Sequence, residues 1–338
     1  MGPAATSEAR AKGPSPIDTL LGLVAEDMGA VDQIIHERMI SPVGMIPNVA
    51  AHLVDAGGKR IRPLITLAAA RLLGGGGDAA RKLAAAVEFI HTATLLHDDV
   101  VDESGLRRGK ASANRVWGNA PSVLVGDFLF ARSFNLMVET GDIAVLDILA
   151  RAASIIAEGE VMQLAAANDA DATLDRYLAI IEAKTAALFE AAARAGAVVA
   201  GRPGAEADAL AIYGKNLGLA FQLVDDALDY DGRAAAMGKD VGDDFREGKV
   251  TMPVVIARDA GDLDERDFWR RVMGGGQQRD GDFARAQSYM RKRNAIQRTI
   301  EAADAYAETA RNALAGLPAN AYRDALSELA GFVVSRAH

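Results

Sequence analysis

From Asp18 to near the C-terminus, apolar residues recur every three or four positions, and no run alternates with period two for long enough to build a sheet. A chain patterned this way can bury its apolar stripe only against other helices. Half of the residues are apolar but only 5% are aromatic, which favours helices packed closely on small side chains over a β-sandwich. Glycine-rich breaks punctuate the pattern. Gly57-Gly58 closes a helix that begins near Pro42, and further turns fall at Gly74 to Gly77, Ser104-Gly105, Gly118, Gly141, Gly201 to Gly204 and Gly274 to Gly276. The prediction is an all-α fold, a single large bundle of about ten to twelve helices around a central cavity. The 338 residues contain no fixed-period repeat and no interdomain linker. Residues 1–16, small, polar and rich in Gly and Pro, are predicted to be a disordered tail, and residues 17–338 one domain.

Lys and Arg total 37 against 46 Asp and Glu, a formal charge of −9. An acidic chain lacks the basic surface that general nucleic-acid binding requires, so no nucleic-acid partner is expected. With no cysteine, disulfides and thiolate metal sites are excluded. A reducing, cytoplasmic setting fits that composition. No stretch of about 18 uninterrupted apolar residues is present, so no transmembrane segment is expected.

Two acidic clusters stand out. A helix predicted from about Asp78 to Val101 carries Asp98, Asp99 and Asp102 near its C-terminal end, and a second, from about Glu206 to Tyr230, carries Asp225, Asp226 and Asp229. Asp98 and Asp102 are four apart, as are Asp225 and Asp229, so each pair projects from one helical face. Like charges at that spacing repel, and a helix C-terminus is the wrong end of the macrodipole for anions. One such cluster could be a solvated helix end. Two, each closing a long apolar helix, point to a hard cation with oxygen ligands such as Mg²⁺. The same arithmetic puts Val87, His91 and Thr94 in line with Asp98 and Asp102, and Gly218 and Gln222 in line with Asp225 and Asp229.

Basic residues lie close by in sequence. Lys59, Arg60 and Arg62 occupy a glycine-rich turn before a helix start, where backbone N–H groups are free. Arg107-Arg108 follow the first cluster, Lys184-Thr185 interrupt an alanine-rich helix, and Lys239 and Lys249 lie in a polar stretch, residues 232–250, after the second. Singly, these read as surface charge, or for Lys184 as a side chain snorkelling from the core edge. Jointly, acidic pairs followed by basic pairs suit a metal-bound diphosphate.

At these residues the chain resembles the trans-isoprenyl diphosphate synthases, in particular the long-chain polyprenyl diphosphate synthases that make ubiquinone side chains. The resemblance runs from about residue 17 to the end and rests on GGKRIRP (57–63), EFIHTATLLHDDVVDESGLRRGK (88–110), Lys184-Thr185, FQLVDDALDY (221–230) and MGKDVGDDFREGKVTMPVV (237–255). It implies an isoprenoid-synthase fold, a homodimer, and two to three Mg²⁺ ions per site holding an allylic diphosphate between the aspartate motifs. By resemblance, Asp98, Asp102, Asp225 and Asp229 are metal ligands, with Asp99 and Asp226 in support. Arg107, Lys184, Thr185, Gln222, Lys239 and Lys249 match positions that contact the allylic diphosphate or close over it. Lys59, Arg62, His91 and Arg108 match those that hold isopentenyl diphosphate.

The implied reaction is head-to-tail condensation: pyrophosphate leaves, isopentenyl diphosphate attacks the allylic cation, and a proton is lost. Product length is expected to depend on Ala93 and Thr94, five and four residues before Asp98. One helical turn is about 5.4 Å, and small residues there leave room for a growing tail, a pattern that by resemblance goes with octaprenyl to decaprenyl products. The resemblance is also compatible with peripheral membrane contact during product release. Alternatives within the class are a shorter-chain synthase, a terpene cyclase, and a non-catalytic subunit of a heteromeric synthase. A helical metal-binding protein without turnover stands outside it.

Overall fold

The computed structural model describes residues 13–54, 57–107, 109–231 and 241–336. Its chain enters on α1 (Pro16–Leu23), with Ser15 as N-cap: the Ser15 hydroxyl accepts from the Asp18 N–H while the Asp18 carboxylate accepts from the Ser15 N–H. The first helix therefore starts at Pro16, the last residue of the predicted tail, and residues 1–12 of that tail lie outside the described residues. Next come α2 (Ala25–Met39), α3 (Met45–Val54), α4 (Ile61–Leu72) and α5 (Asp78–Val101). A hairpin of two-residue strands follows, β1 (Leu106–Arg107) and β2 (Lys110–Ala111), with Arg107 opposite Lys110. No hairpin was expected, because two residues per strand leave no period to read.

Beyond it lie α6 (Ala113–Trp117), α7 (Asn119–Glu139), α8 (Ile143–Ala166) and α9 (Leu174–Ile181). A π-helical turn, Glu182–Ala186, joins α9 to α10 (Ala187–Val199), and α11 (Ala205–Tyr230) completes the centre. The rest is α12 (Asp243–Arg246), α13 (Met252–Asp259), α14 (Leu263–Gly274), α15 (Asp282–Lys292), α16 (Ala295–Ala313) and α17 (Ala321–Ser335). Helical segments outnumber the ten to twelve expected, because short pieces such as α6 and α12 are separate elements whose lengths carry no full apolar period.

The centre is α5, α10 and α11. The α5 helix packs along α7, α10 packs against α4, α8 and α11, and α16 lies along α11. Small residues set these distances. A Cβ on Gly218 of α11 would stand 2.7 Å from the Ala186 Cα, so α11 and the π turn meet almost backbone to backbone. Ala84, Ala85, Ala86, Ala192, Ala193 and Ala195 are all fully buried, which explains why an alanine-rich, aromatic-poor chain can still close its core.

Candidate active site

The last turn of α5 holds the first acidic motif, with Asp102 as the C-cap just beyond Val101. Asp98 is mostly buried and Asp99 fully so. The two go different ways. Asp99 accepts from Arg107 Nε at 2.8 Å and also from Nη2, so the hairpin arginine is held by the motif itself. Asp99 Oδ2 is buried and, among the described residues, accepts no hydrogen bond. Asp98 lies 3.8 Å from the Lys184 ammonium, and Asp102 lies 3.8 Å from that of Lys249.

The second motif, at the end of α11, also divides its aspartates. The fully buried Asp226 accepts from Tyr177 Oη and from Gln222 Nε2 at 2.8 Å. The Gln222 carbonyl in turn accepts from the Thr185 hydroxyl at 2.9 Å. Asp225 points the other way and pairs with Arg336 at 3.1 Å. Asp229 accepts from the backbone N–H groups of Gly242, Asp243 and Asp244 at 3.1 to 3.2 Å, anchoring the N-terminus of α12. Gln222 thus bonds along the helix to Asp226, four residues on, while Asp225 turns to Arg336.

A cavity of about 460 Å³ lies where these helices meet. Asp102 from the first motif and Asp226 from the second both line it, with Lys184, Thr185, Gln222 and Lys249 around them. The two acidic clusters therefore border one hollow. Apolar side chains, among them Leu164, Ile180 and Ile181, form another part of its wall. A second cavity, of about 290 Å³, is lined by Lys59, Arg62, His91, Asp225 and Arg336. There Arg62 Nη1 is 3.2 Å from His91 Nε2, and its guanidinium lies 4.4 Å from the centre of the Phe189 ring. Of the residues assigned by resemblance to two diphosphates, Lys184, Thr185, Gln222 and Lys249 line the first cavity and Lys59, Arg62 and His91 the second, while Arg107 lines neither. The turn that presents Lys59 is held by Arg60, which adopts left-handed φ of +43° and pairs with Asp32.

Burial raises acids in and next to the first cavity. Burial pushes the Asp98 carboxyl up to about 6, although Lys184 opposes the shift. Asp226 rises to about 6 for the same reason, against its bonds to Tyr177 and Gln222. Asp244 is likewise raised by burial and then by Asp226. Burial alone would lower the Lys249 ammonium, but Asp244, Asp102 and Glu247 around it raise it. Desolvated carboxylates facing one hollow are under-compensated, a condition that a divalent cation relieves. Their donors are all oxygen, as Mg²⁺ prefers. Among the described residues no three acidic or histidine side chains converge into a ready cage. One or two carboxylates completed by phosphate oxygens and water suit Mg²⁺, so the residues fit that ion.

Lys239 and Arg108 lie outside the described residues. Ala93 is buried and Thr94 half-buried with its hydroxyl bonded to the His91 carbonyl, and neither lines a described cavity. Sequence reasoning missed Tyr177, Glu160, Asp244 and Arg336. Glu160 shares α8 with Asp147, Arg151, Glu158 and Gln163, so its polarity alone did not single it out. Arg336 gave none, because only folding brings the end of α17 to α11.

The polyprenyl synthetase family model matches residues 43–290. This chain belongs to the polyprenyl synthetase family. It is 45% identical over 314 residues to an octaprenyl diphosphate synthase of Escherichia coli, covering 93% of this chain and 97% of that one. A crystal structure of a decaprenyl diphosphate synthase from Rhodobacter capsulatus superposes with a TM-score of 0.93 at 54% identity, covering 96% of this chain and all of that one. A polyprenyl synthase from Caulobacter crescentus, crystallised with calcium and isoprenyl diphosphate, superposes with a TM-score of 0.91 at 54% identity over 97% of this chain and all of that one. Membership makes the chain a prenyltransferase of the isoprenoid-synthase fold.

Proposed function

We propose that this polyprenyl synthetase condenses isopentenyl diphosphate head-to-tail onto an allylic diphosphate, giving a long all-trans polyprenyl diphosphate in the octaprenyl to decaprenyl range. The observation that carries the reading is that Asp102 and Asp226, one from each acidic motif, border one cavity with Lys184 and Lys249, beside a separate basic cavity holding Lys59, Arg62 and His91. Two anion sites side by side suit two diphosphate substrates. The product range follows the octaprenyl and decaprenyl names of the relatives. Use of the product for a ubiquinone side chain rests on the resemblance alone.

Mg²⁺, two to three ions in the site, would be held by Asp98 and Asp102 on one side and, once it turns from Arg336, by Asp225 on the other, and would stabilise the charge of departing pyrophosphate. The cation bound by the Caulobacter relative alongside isoprenyl diphosphate supports that role. The protein's own part is electrostatic and positional. Lys184, Lys249 and Arg107 direct positive charge at the leaving group. Arg62, Lys59 and His91 hold the second diphosphate so that its double bond faces the allylic carbon. Apolar walls at Ile180 and Ile181 exclude water that would quench the cation. The released pyrophosphate is the base this reading assigns to the proton leaving the condensed product.

The reading includes a homodimer. Apolar residues stay exposed along α7 and α8, including Leu124, Val138, Ile143, Val161 and Leu164, a face suited to a second copy. No helix among the described residues is long and apolar enough to cross a membrane. A cytoplasmic enzyme that touches the membrane only at product release is consistent with that. The test is mass-spectrometric sizing of products from purified protein with Mg²⁺, farnesyl diphosphate and excess isopentenyl diphosphate. A ladder growing by one isoprene unit per step and ending at octaprenyl to decaprenyl is expected. Cyclic hydrocarbon from farnesyl diphosphate alone, or no product, would overturn the reading.

A further inference from the structure

The Lys184 ammonium has two carboxylates within reach. It is 2.7 Å from Glu160 Oε2 on α8 and 3.8 Å from Asp98 Oδ2 on α5. The geometry that favours Glu160 is built in. Lys184 sits in the π turn between α9 and α10, where one extra residue per turn rotates a side chain away from its α-helical phase. That turn lies directly on α8. A Cβ at Gly159, the residue before Glu160, would meet the Ala183 Cβ at 2.8 Å and the Lys184 backbone nitrogen at 2.9 Å. The neighbouring Thr185 is tied to Gln222 of α11 at 2.9 Å, which fixes the turn from the opposite side. All three charged side chains are largely screened from water, with 21% of Lys184, 29% of Glu160 and 15% of Asp98 exposed. At such burial the choice of partner carries weight.

We infer that Glu160 is a positioning residue that draws the Lys184 ammonium away from Asp98, leaving that carboxylate free to bind a divalent cation. Without Glu160, the lysine's nearest acid is Asp98, and an ammonium seated on a carboxylate competes with a metal ion for the same oxygens. Glu160 also parks Lys184 beside the cavity, ready to turn to an incoming diphosphate. The inference rests on the metal-site reading above.

Calorimetric titration of Mg²⁺ into the full-length protein saturated with S-thiolo farnesyl diphosphate, an allylic analogue slow to ionise, tests it without turnover. Glu160→Gln and Glu160→Ala are expected to weaken Mg²⁺ binding about tenfold, and Glu160→Asp less. In a Lys184→Met background, Glu160→Gln should change Mg²⁺ affinity by less than about twofold, because the competing ammonium is already gone. Wild-type protein that binds no Mg²⁺ in this assay overturns both the metal-site reading and the inference. Wild-type binding that persists unchanged in the Gln and Ala variants overturns the inference alone. An undiminished effect of Glu160→Gln in the Lys184→Met background also overturns it, by showing that Glu160 acts on the metal directly.

Discussion

Tyr177 illustrates how single residues hold this site. Its hydroxyl is buried and donates to Asp226, whose other oxygen accepts from Gln222. Tyr177→Phe leaves one oxygen of a fully buried carboxylate without that donor, at a cost of about 1–3 kcal/mol. Urea unfolding of the variant should show that loss, and kcat should fall with it, because Asp226 is then free to turn. The acidic motifs themselves were legible in the sequence, since paired like charges at helix ends need an explanation. The division of labour within each motif was not. Asp98 and Asp99 are adjacent in sequence, yet one faces a lysine and the other clamps an arginine. Which oxygen meets which partner depends on helix phase, on the hairpin after α5 and on the anchoring of α12, and none of these has a local sequence signature.

At the scale of elements, the π turn and the α8 helix against it are the feature on which the site's geometry depends most. Gly159→Ala would drive a methyl group into the Ala183 side chain and the Lys184 backbone. Overpacking of this kind costs about 1–3 kcal/mol, and displacing Lys184 by a fraction of an ångström should lower kcat about 10- to 100-fold. Thermal melting and steady-state kinetics together check this, and a variant with wild-type kcat would show that the turn tolerates displacement. A second prediction concerns the α14–α15 junction. Asp282 accepts two hydrogen bonds from Arg271 at 2.8 Å, and that arginine holds its carboxyl below the ordinary value. A carboxyl lowered in the folded state adds stability above its unfolded value and loses it as pH falls through its folded value. Asp282→Asn should therefore destabilise the protein by about 1 kcal/mol at pH 7, with the gap closing as pH drops below about 4. Melting curves across that range measure it. The helices carrying both motifs were readable almost to the residue, expected at about Asp78 to Val101 and Glu206 to Tyr230 and found at Asp78–Val101 and Ala205–Tyr230. A π turn is invisible to a 3.6-residue period, and α6 and α12 are too short to show one.

At the scale of the molecule, the helical class followed from periodicity, and a site between the two acidic helix ends followed from the family resemblance. That these ends border one cavity, with the basic turn at Lys59 lining another beside it, could not be read from spacing, because α4, α5, α11 and α17 come together only on folding. Product length belongs to this scale too. Ala93 is buried on α5 just before the first motif, and placing a bulky ring there should block an elongating tail. Ala93→Tyr is expected to shorten the main product by several isoprene units. An unchanged product ladder in a chain-length assay would remove Ala93 from the path of the tail.

Crystals grown with Mn²⁺ in place of Mg²⁺ and with S-thiolo farnesyl diphosphate test whether both acidic motifs serve one diphosphate through shared metal ions. Anomalous scattering should locate ions within about 2.0–2.3 Å of Asp98 and Asp102 on one side and of Asp225 on the other, all bridged by the analogue's diphosphate. Ions at only one motif, or a diphosphate bound away from both, would show that the motifs do not share a substrate.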